Sequence, residues 1–426
     1  MFMTDIELDD NLIFESNFLD FIGGSFESAG DVSVSSLLNG YVPVFVVSFF
    51  VTILLTPIVR HLAIKSGVID HPDGDRKVHR FPIAYLGGVA ILGGLCAGFL
   101  FSYIFVPSVP MHYELVPIGV LLGMFAISLT GFMDDVWHWD PRLKIAGQLV
   151  AAAGLTLSGI GTNVASGILV PFFGVPETVL FTLGDFQFRA AEIYYWTGTF
   201  LTAFFVIGGC NAANLIDGLD GLLTGTSAVM AVGFLVISLL IATGLDDSQG
   251  QRKFDGARII LCFSLLGVLL GFLPYNFNPA VIFLGDCGSL LIGYMSVVII
   301  LMLGEMGYTH LVIAGLFVFS LPIMDTLLAI IRRKLAGLPM SAADSGHIHH
   351  MLLRYFNGNV RKSVLTLYVL TSLFALFGIA LSYLFIFQVI QGRFVYASFL
   401  VVFSFICVVA IKTALKKQWE STAKSS

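Results

Sequence analysis

Apolar stretches long enough to cross a bilayer recur along this chain from residue 41 to residue 412. That recurrence limits the fold more than any other feature. A helix needs about 20 apolar residues to span the hydrocarbon of a membrane. Within lipid, every backbone N–H and C=O must be paired inside the protein, which leaves helices and closed barrels. The runs here are continuous and lack the polar alternation of an outer-membrane barrel. Composition agrees, since 57% of the 426 residues are hydrophobic and 12% are charged, about half the charge expected of a soluble chain. The expected fold is all-α and polytopic.

Eleven spans are expected, at 41–63, 84–106, 114–132, 143–161, 194–210, 222–243, 258–275, 288–304, 309–331, 364–388 and 394–412. An odd number puts the termini on opposite sides. Cytoplasmic loops of membrane proteins carry an excess of Lys and Arg. One set of loops, with the C-terminus, holds 17 of the 22 basic residues. That set is therefore predicted to be cytoplasmic and the N-terminus external. Residues 1–40 contain acids but no Lys or Arg, so they do not read as a secretory signal. They are taken as an acidic extracytoplasmic tail, 41–412 as one transmembrane catalytic domain and 413–426 as a basic cytoplasmic tail. The external segment 162–193 is rich in Gly, Pro, Phe and Thr and suggests a short hairpin. Five scattered cysteines share no close spacing, so neither a zinc site nor a disulfide framework is indicated.

Polar groups near a membrane interior are costly and tend to be functional. Here they gather in five segments of the predicted cytoplasmic side. The first runs from Asp70 to Arg80 and holds Arg76, Lys77 and His79, followed by Gly87-Gly88. Basic residues on a Pro- and Gly-shaped turn can meet phosphate, although, taken alone, the segment reads first as an ordinary positive-inside loop. The second has adjacent Asp134 and Asp135 at the end of an apolar run, then Asp140, Arg142, Lys144 and Gln148. Paired carboxylates here suit a cation or a metal-bound phosphate, or serve as water-facing caps. The third, Asn211 to Gly221, repeats oxygen-bearing side chains every third residue at Asn211, Asn214, Asp217 and Asp220. On a helix that spacing makes one face, and hard oxygen suits Mg²⁺. The fourth holds Asn276 and the run Gly285-Asp286-Cys287-Gly288-Ser289, where Asp286 is either an N-cap or a metal ligand. The fifth follows Asp325 and Arg332-Arg333-Lys334 with His347-Ile348-His349-His350. Imidazoles there can bind a metal or donate to phosphate, or be surface histidines.

Taken in order, these segments resemble the polyprenyl-phosphate N-acetylhexosamine-1-phosphate transferase family (glycosyltransferase family 4), over about residues 41–412. The residues that carry the resemblance are Arg76-Lys77-x-His79 with Gly87-Gly88, Asp134-Asp135, Asn211 to Gly221, Asn276 with Gly285-Asp286-x-Gly288-Ser289, and His347-Ile348-His349-His350. The muramoyl-pentapeptide branch of that family typically has Pro-x-His-His-His in its last loop. The His-x-His-His after Ser345-Gly346 looks instead like the bacterial branch that uses UDP-N-acetylglucosamine and starts O-antigen, common antigen or teichoic acid chains. The Lys that the muramoyl branch often carries after its paired Asp is not transferred, since His138 stands nearest that place.

The resemblance implies a phosphoryl transfer on the cytoplasmic face of the inner membrane. An undecaprenyl phosphate oxygen attacks the β-phosphorus of UDP-N-acetylglucosamine, and UMP leaves. Such reactions rest on positioning and charge neutralisation. It implies Mg²⁺, with Mn²⁺ as a substitute, on Asp286, with Asp217 as a second ligand or nucleotide contact. It puts Asn211, Asn214, Asp217, Asp220 and Asn276 on the nucleotide side, Lys77, His79 and Lys144 on phosphate, and His347, His349 and His350 with Arg332 or Arg333 on the sugar diphosphate. Asp134 or Asp135 is the family's proposed base. A phosphate monoester, with a second pKa of about 6, needs little deprotonation at neutral pH, so Asp134 can equally place the nucleophile or metal. The partners implied are the UDP-sugar, the polyprenyl phosphate, membrane lipid and a second copy, since many members are dimers; no nucleic acid is expected. A transporter would place its polar groups at the midplane, and here they lie at span ends.

Overall fold

The computed structural model describes residues 34–70, 82–105, 115–245, 254–337, 339 and 346–425. Lys77 and His79 of the first motif, and most of the N-terminal tail, lie outside the described residues. In chain order the helices are α1 (Val34–Ser66), α2 (Gly87–Ile104), α3 (Ile118–Trp137), α4 (Pro141–Leu157), α5 (Ser166–Phe173), α6 (Ala190–Ile216) and α7 (Leu222–Gly244). They continue as α8 (Asp255–Asn276), α9 (Gly285–Leu303), α10 (Thr309–Val318), α11 (Ser320–Leu335), α12 (Ile348–Tyr355), α13 (Val360–Ile386) and α14 (Gly392–Ser425).

Each expected span falls on helix. Among the described residues, nine helices have the length and hydropathy of a crossing, and α10 with α11 makes a tenth, bent by 79°. The bend has a chemical cause. Pro322 in the first turn of α11 has no N–H to give the carbonyl four residues back. The remaining expected span is α4. It has 17 residues, about 26 Å at 1.5 Å per residue, short of a hydrocarbon core of about 30 Å. Its start is well specified: Pro141 sits in the first turn, and the Asp140 side chain accepts from the Arg142 N–H at 2.8 Å, as an N-cap does.

The core is organised around α9. Beyond its polar first turns this helix is largely apolar on every side and almost wholly buried, as a helix without a polar face must be. It packs on α2, α3, α6, α8 and α10. At the other extreme, α14 leaves Leu400 and Phe405 more than 60% exposed, surface that lipid satisfies and water does not. The segment 162–193 does form the expected hairpin, β3 (Val179–Leu183) on β4 (Phe186–Arg189). A shorter ladder pairs β1 (Ile69–Asp70) with β2 (Ile83–Ala84).

That second ladder matters for the site. Ala84 bridges Ile282, and the Gly87 and Gly88 N–H groups donate to the carbonyls of Phe283 and Leu284, both at 2.8 Å. The start of α2 is thus stitched to the start of α9. The stitch needs glycine, because a Cβ at Gly88 would lie 2.1 Å from the Gly288 nitrogen. Gly88→Ala is therefore expected to force the two helix starts apart, at a cost of about 3 kcal/mol or more. A lowered melting temperature or aggregation on size-exclusion in detergent would report it, and an unchanged melt would refute the close approach.

Candidate active site

The polar motifs lie at the ends of α3, α6, α8 and α11 and at the starts of α4, α7, α9 and α12. Successive antiparallel crossings bring these positions to one end of the bundle. Its centre is Asp286, in the first turn of α9. The Lys144 ammonium on α4 pairs with Asp286 and, at 2.7 Å, with Asp134 on α3. Asn214 on α6 donates from Nδ2 to Asp286 Oδ1 at 2.8 Å and to Ser289 Oγ at 2.9 Å. Four helices therefore converge on one carboxylate. Asp286 does not cap its own helix, since α9 has no side-chain cap from its N-cap position.

The cap comes from the neighbour. Asp135 is 8% exposed, and its two oxygens accept from the Asp286 and Cys287 N–H groups at 2.7 and 3.0 Å. Those are orphan donors of a helix start, and a carboxylate there also meets the positive end of the helix dipole. Gly131 permits this contact, because a Cβ on it would lie 2.5 Å from Cys287 Cα. Gly285, at φ +69°, faces Asp135 as well. His138 closes α3 in the left-handed region, at φ 50°.

The oxygen-bearing repeat from 211 to 220 does not form a single helical face as expected. α6 ends at Ile216, so Asn211 and Asn214 are helical while Asp217 is the C-cap, and Gly221 takes φ +74°. Asp217 lies near enough to Asp286 and Asp220 to sense their charge. Desolvation first, and those two carboxylates next, push its pKa up to about 7. Asn211 turns to Gln148 instead, donating to Oε1 at 3.2 Å, one helical turn from the Lys144 and Asn214 pair.

Two predicted site residues are held within the adjoining turn. Asp220 Oδ2 accepts from Asn278 Nδ2 at 2.9 Å and from the Ala280 N–H at 3.0 Å. Asn276 is buried, accepting from Thr224 Oγ1 at 2.7 Å and donating to the Ile282 carbonyl at 3.1 Å. Both shape the segment that delivers Asp286. Arg332 and Arg333 close α11, and the Arg333 Nε is buried without a hydrogen-bond partner among the described residues.

The histidines form a packed cluster. The His347 and His349 rings stack at 5.4 Å between centroids, and His349 lies 4.3 Å from His350. A Cβ on Gly218 would be 2.4 Å from His349 Nε2, so the loop after Asp217 rests on this ring. Burial first, then the neighbouring His350, lowers the His349 pKa to about 3, so this imidazole is neutral near pH 7. Two neighbours escaped the sequence-based assignment of site residues. Asp325 binds His347, and Tyr85 sits where burial and then Asp135, Asp286, Asp217 and Asp70 raise its pKa. Tyr85 lies between two recognisable motifs, but nothing in its own sequence neighbourhood marks it.

The donor chemistry fits a hard cation shared with substrate. Among the described residues no three His, Cys, Asp or Glu side chains converge as an all-protein metal cage. Mg²⁺ does not ask for one: it is usually held by one or two carboxylates together with substrate phosphates. Asp286 and Asp217 are the two carboxylates that would hold such an ion. The lysine held between Asp134 and Asp286 marks a site with an excess of negative charge.

Comparison with known proteins finds relatives over most of the chain. The family model for glycosyl transferase family 4 matches residues 117–304. A protein of Bacillus subtilis (strain 168), named a probable undecaprenyl-phosphate N-acetylglucosaminyl 1-phosphate transferase, is 36% identical over 342 residues, covering 79% of this chain and 84% of the relative. The decaprenyl-phosphate N-acetylglucosaminephosphotransferase of Mycobacterium tuberculosis (strain ATCC 25618 / H37Rv) is 34% identical, covering 79% of this chain and 80% of its own. The undecaprenyl-phosphate alpha-N-acetylglucosaminyl 1-phosphate transferase of Escherichia coli (strain K12) is 30% identical, covering 72% of this chain and 74% of its own.

Proposed function

Because this chain belongs to glycosyl transferase family 4, we propose that it transfers N-acetylglucosamine-1-phosphate from UDP-N-acetylglucosamine to undecaprenyl phosphate. The products are undecaprenyl-diphosphate-N-acetylglucosamine and UMP, and the reaction opens the synthesis of a cell-envelope polysaccharide on the cytoplasmic face of the inner membrane. The observation that carries the reading is the convergence of Asp134, Lys144, Asn214 and Asp286 at one end of an apolar bundle. Such a site meets a lipid-borne phosphate and a water-borne nucleotide at the same depth.

The roles follow from chemistry. Asp286 and Asp217 would hold Mg²⁺, with Mn²⁺ as a substitute, and the bound ion neutralises charge building on the diphosphate. Lys144 adds a second positive charge at a place where phosphate oxygens gain negative charge. Asn214 keeps the Asp286 carboxylate in one orientation through Oδ1. Asp134 sets Lys144, and with it the approach of the lipid phosphate. We assign His347, His349, His350, Arg332 and Arg333 to the sugar diphosphate, and Lys77 and His79 to phosphate from the sequence motif alone. In-line attack by the lipid phosphate on the β-phosphorus then expels UMP, and the anomeric bond is untouched.

The test is UMP release from purified protein given undecaprenyl phosphate, Mg²⁺ and one donor at a time. Release from UDP-N-acetylglucosamine that chelator abolishes is the expected result. Release only from UDP-muramoyl-pentapeptide would move the protein to cell-wall precursor synthesis. No release from any donor by folded protein would overturn the transfer reading and favour a transporter.

A pH dependence follows from Asp217. Its pKa is about 7 in the fold against an ordinary 3.8, so the folded state holds the proton more tightly. That contribution to the stability of metal-free protein is complete below pH 3.8 and is lost as pH rises through 7. Mg²⁺ competes with that proton, so it is expected to raise the melting temperature more at pH 8 than at pH 5.5. Asp217→Asn should flatten both trends, and an unchanged pH slope in that variant would remove Asp217 as their source.

A further inference from the structure

Asp325 lies on α11 with its side chain 1% exposed. Its two oxygens have separate partners: Oδ2 meets His347 Nδ1 at 2.7 Å, and Oδ1 accepts from the Ile348 N–H at 2.7 Å. An ionised carboxylate only accepts hydrogen bonds. The contact with His347 therefore keeps a proton on Nδ1 and leaves Nε2 as the ring nitrogen for other chemistry. The second contact caps α12, the short helix that carries His349 and His350. The His347 ring stacks on His349, whose own ring supports the Gly218 backbone beside Asp217. A continuous set of contacts thus runs from Asp325 to the nucleotide loop.

We propose that Asp325 is a positioning residue for the transfer proposed above, holding His347 in its Nδ1–H form and in one ring orientation so that Nε2 serves the diphosphate of the UDP-sugar. The proposal rests on that reading of the site. It differs from a purely structural cap, because the cap and the histidine contact use different oxygens and can be separated. Asparagine has one acceptor oxygen. In Asp325→Asn the amide satisfies either His347 or the Ile348 N–H, and its NH₂ then opposes the other donor. Ile348→Pro removes the capping N–H and leaves the His347 contact in place, at the cost of a partly buried side chain packed on the core, which the melting temperature reports. Position 348 is the first residue of α12, where proline is tolerated, and His347 at φ −57°, ψ 149° already has the conformation that precedes proline.

The experiment measures kcat and KM for both substrates in full-length Asp325→Asn, His347→Ala, their double variant and Ile348→Pro, with melting temperatures alongside. Orienting partners of metal-bound histidines are worth about 10- to 100-fold, and the same scale is expected of an orienting partner here. Asp325→Asn is expected to lose that much in kcat/KM for the UDP-sugar, with KM for the polyprenyl phosphate unchanged. The double variant should be no worse than His347→Ala alone, because Asp325 acts through that ring. Ile348→Pro should keep activity within about 3-fold. Multiplying losses in the double variant, or an Ile348→Pro as impaired as His347→Ala, would overturn the proposal in favour of a cap. The Ile348→Pro result decides the matter even where Asp325→Asn fails to fold. Wild-type protein that releases no UMP condemns the transfer reading, whereas active wild type beside an equally active Asp325→Asn condemns this inference alone.

Discussion

Asp286→Ala is expected to lower transfer on the order of 10³-fold, the scale seen when a preorganised charge-stabilising group is removed, while the protein stays folded. Asp286 is the carboxylate on which Lys144 and Asn214 converge, and it is not a helix cap. Its removal leaves the start of α9 capped by Asp135 and leaves Lys144 paired with Asp134. Melting temperature should therefore move little. The loss should lie in kcat, because a group acting on developing charge is felt in the transition state and not in ground-state binding. Wild-type turnover in folded Asp286→Ala would remove this residue from the mechanism and leave Asp217 as the sole carboxylate candidate for the metal.

The adjacent pair Asp134 and Asp135 should separate cleanly. Asp135→Ala strands two buried N–H groups at the start of the most buried helix. At about 1–3 kcal/mol for each unsatisfied donor, the cost is about 2–6 kcal/mol, enough to unfold a marginal protein. Asp134→Ala removes only a partly exposed pairing with Lys144, a contact of about 1 kcal/mol or less for stability. The expected result is a large drop in melting temperature for Asp135→Ala, with activity lost alongside the fold. Asp134→Ala should melt like wild type and turn over slowly. Equal melting behaviour for the two would contradict the division of labour between them.

Much of the architecture was legible in the sequence because lipid admits few solutions. All eleven apolar stretches fall on helix, and the hairpin at 179–189 appears where turn residues and Phe-rich runs suggested it. The chemistry-bearing segments were legible because ionisable groups at the end of an apolar run stand out. Roles within those segments were not. Consecutive helical residues point about 100° apart, so Asp134 and Asp135 cannot share a face. Only the packing of α3 on α9 tells which one meets Lys144 and which one caps. The three-residue repeat at Asn211, Asn214, Asp217 and Asp220 suggested one stripe. The chain leaves the helix at Asp217, and Asp220 is committed to Asn278 and Ala280.

Asp325 shows the same limit across a longer interval. It is separated from His347 by 22 residues, and no local pattern joins them. What the sequence determined by itself was the solvent the protein folds in, the order of its apolar helices, and the inventory of hard oxygens, imidazoles and cations between them. These follow from hydrophobic length and residue type, which are local properties. What only the tertiary structure decided was the partner of each polar group. A carboxylate on one helix becomes a cap, a lysine partner or a candidate metal ligand according to which backbone N–H or ammonium another helix brings within 3 Å. That is set by close glycine-mediated packing between segments distant in the chain.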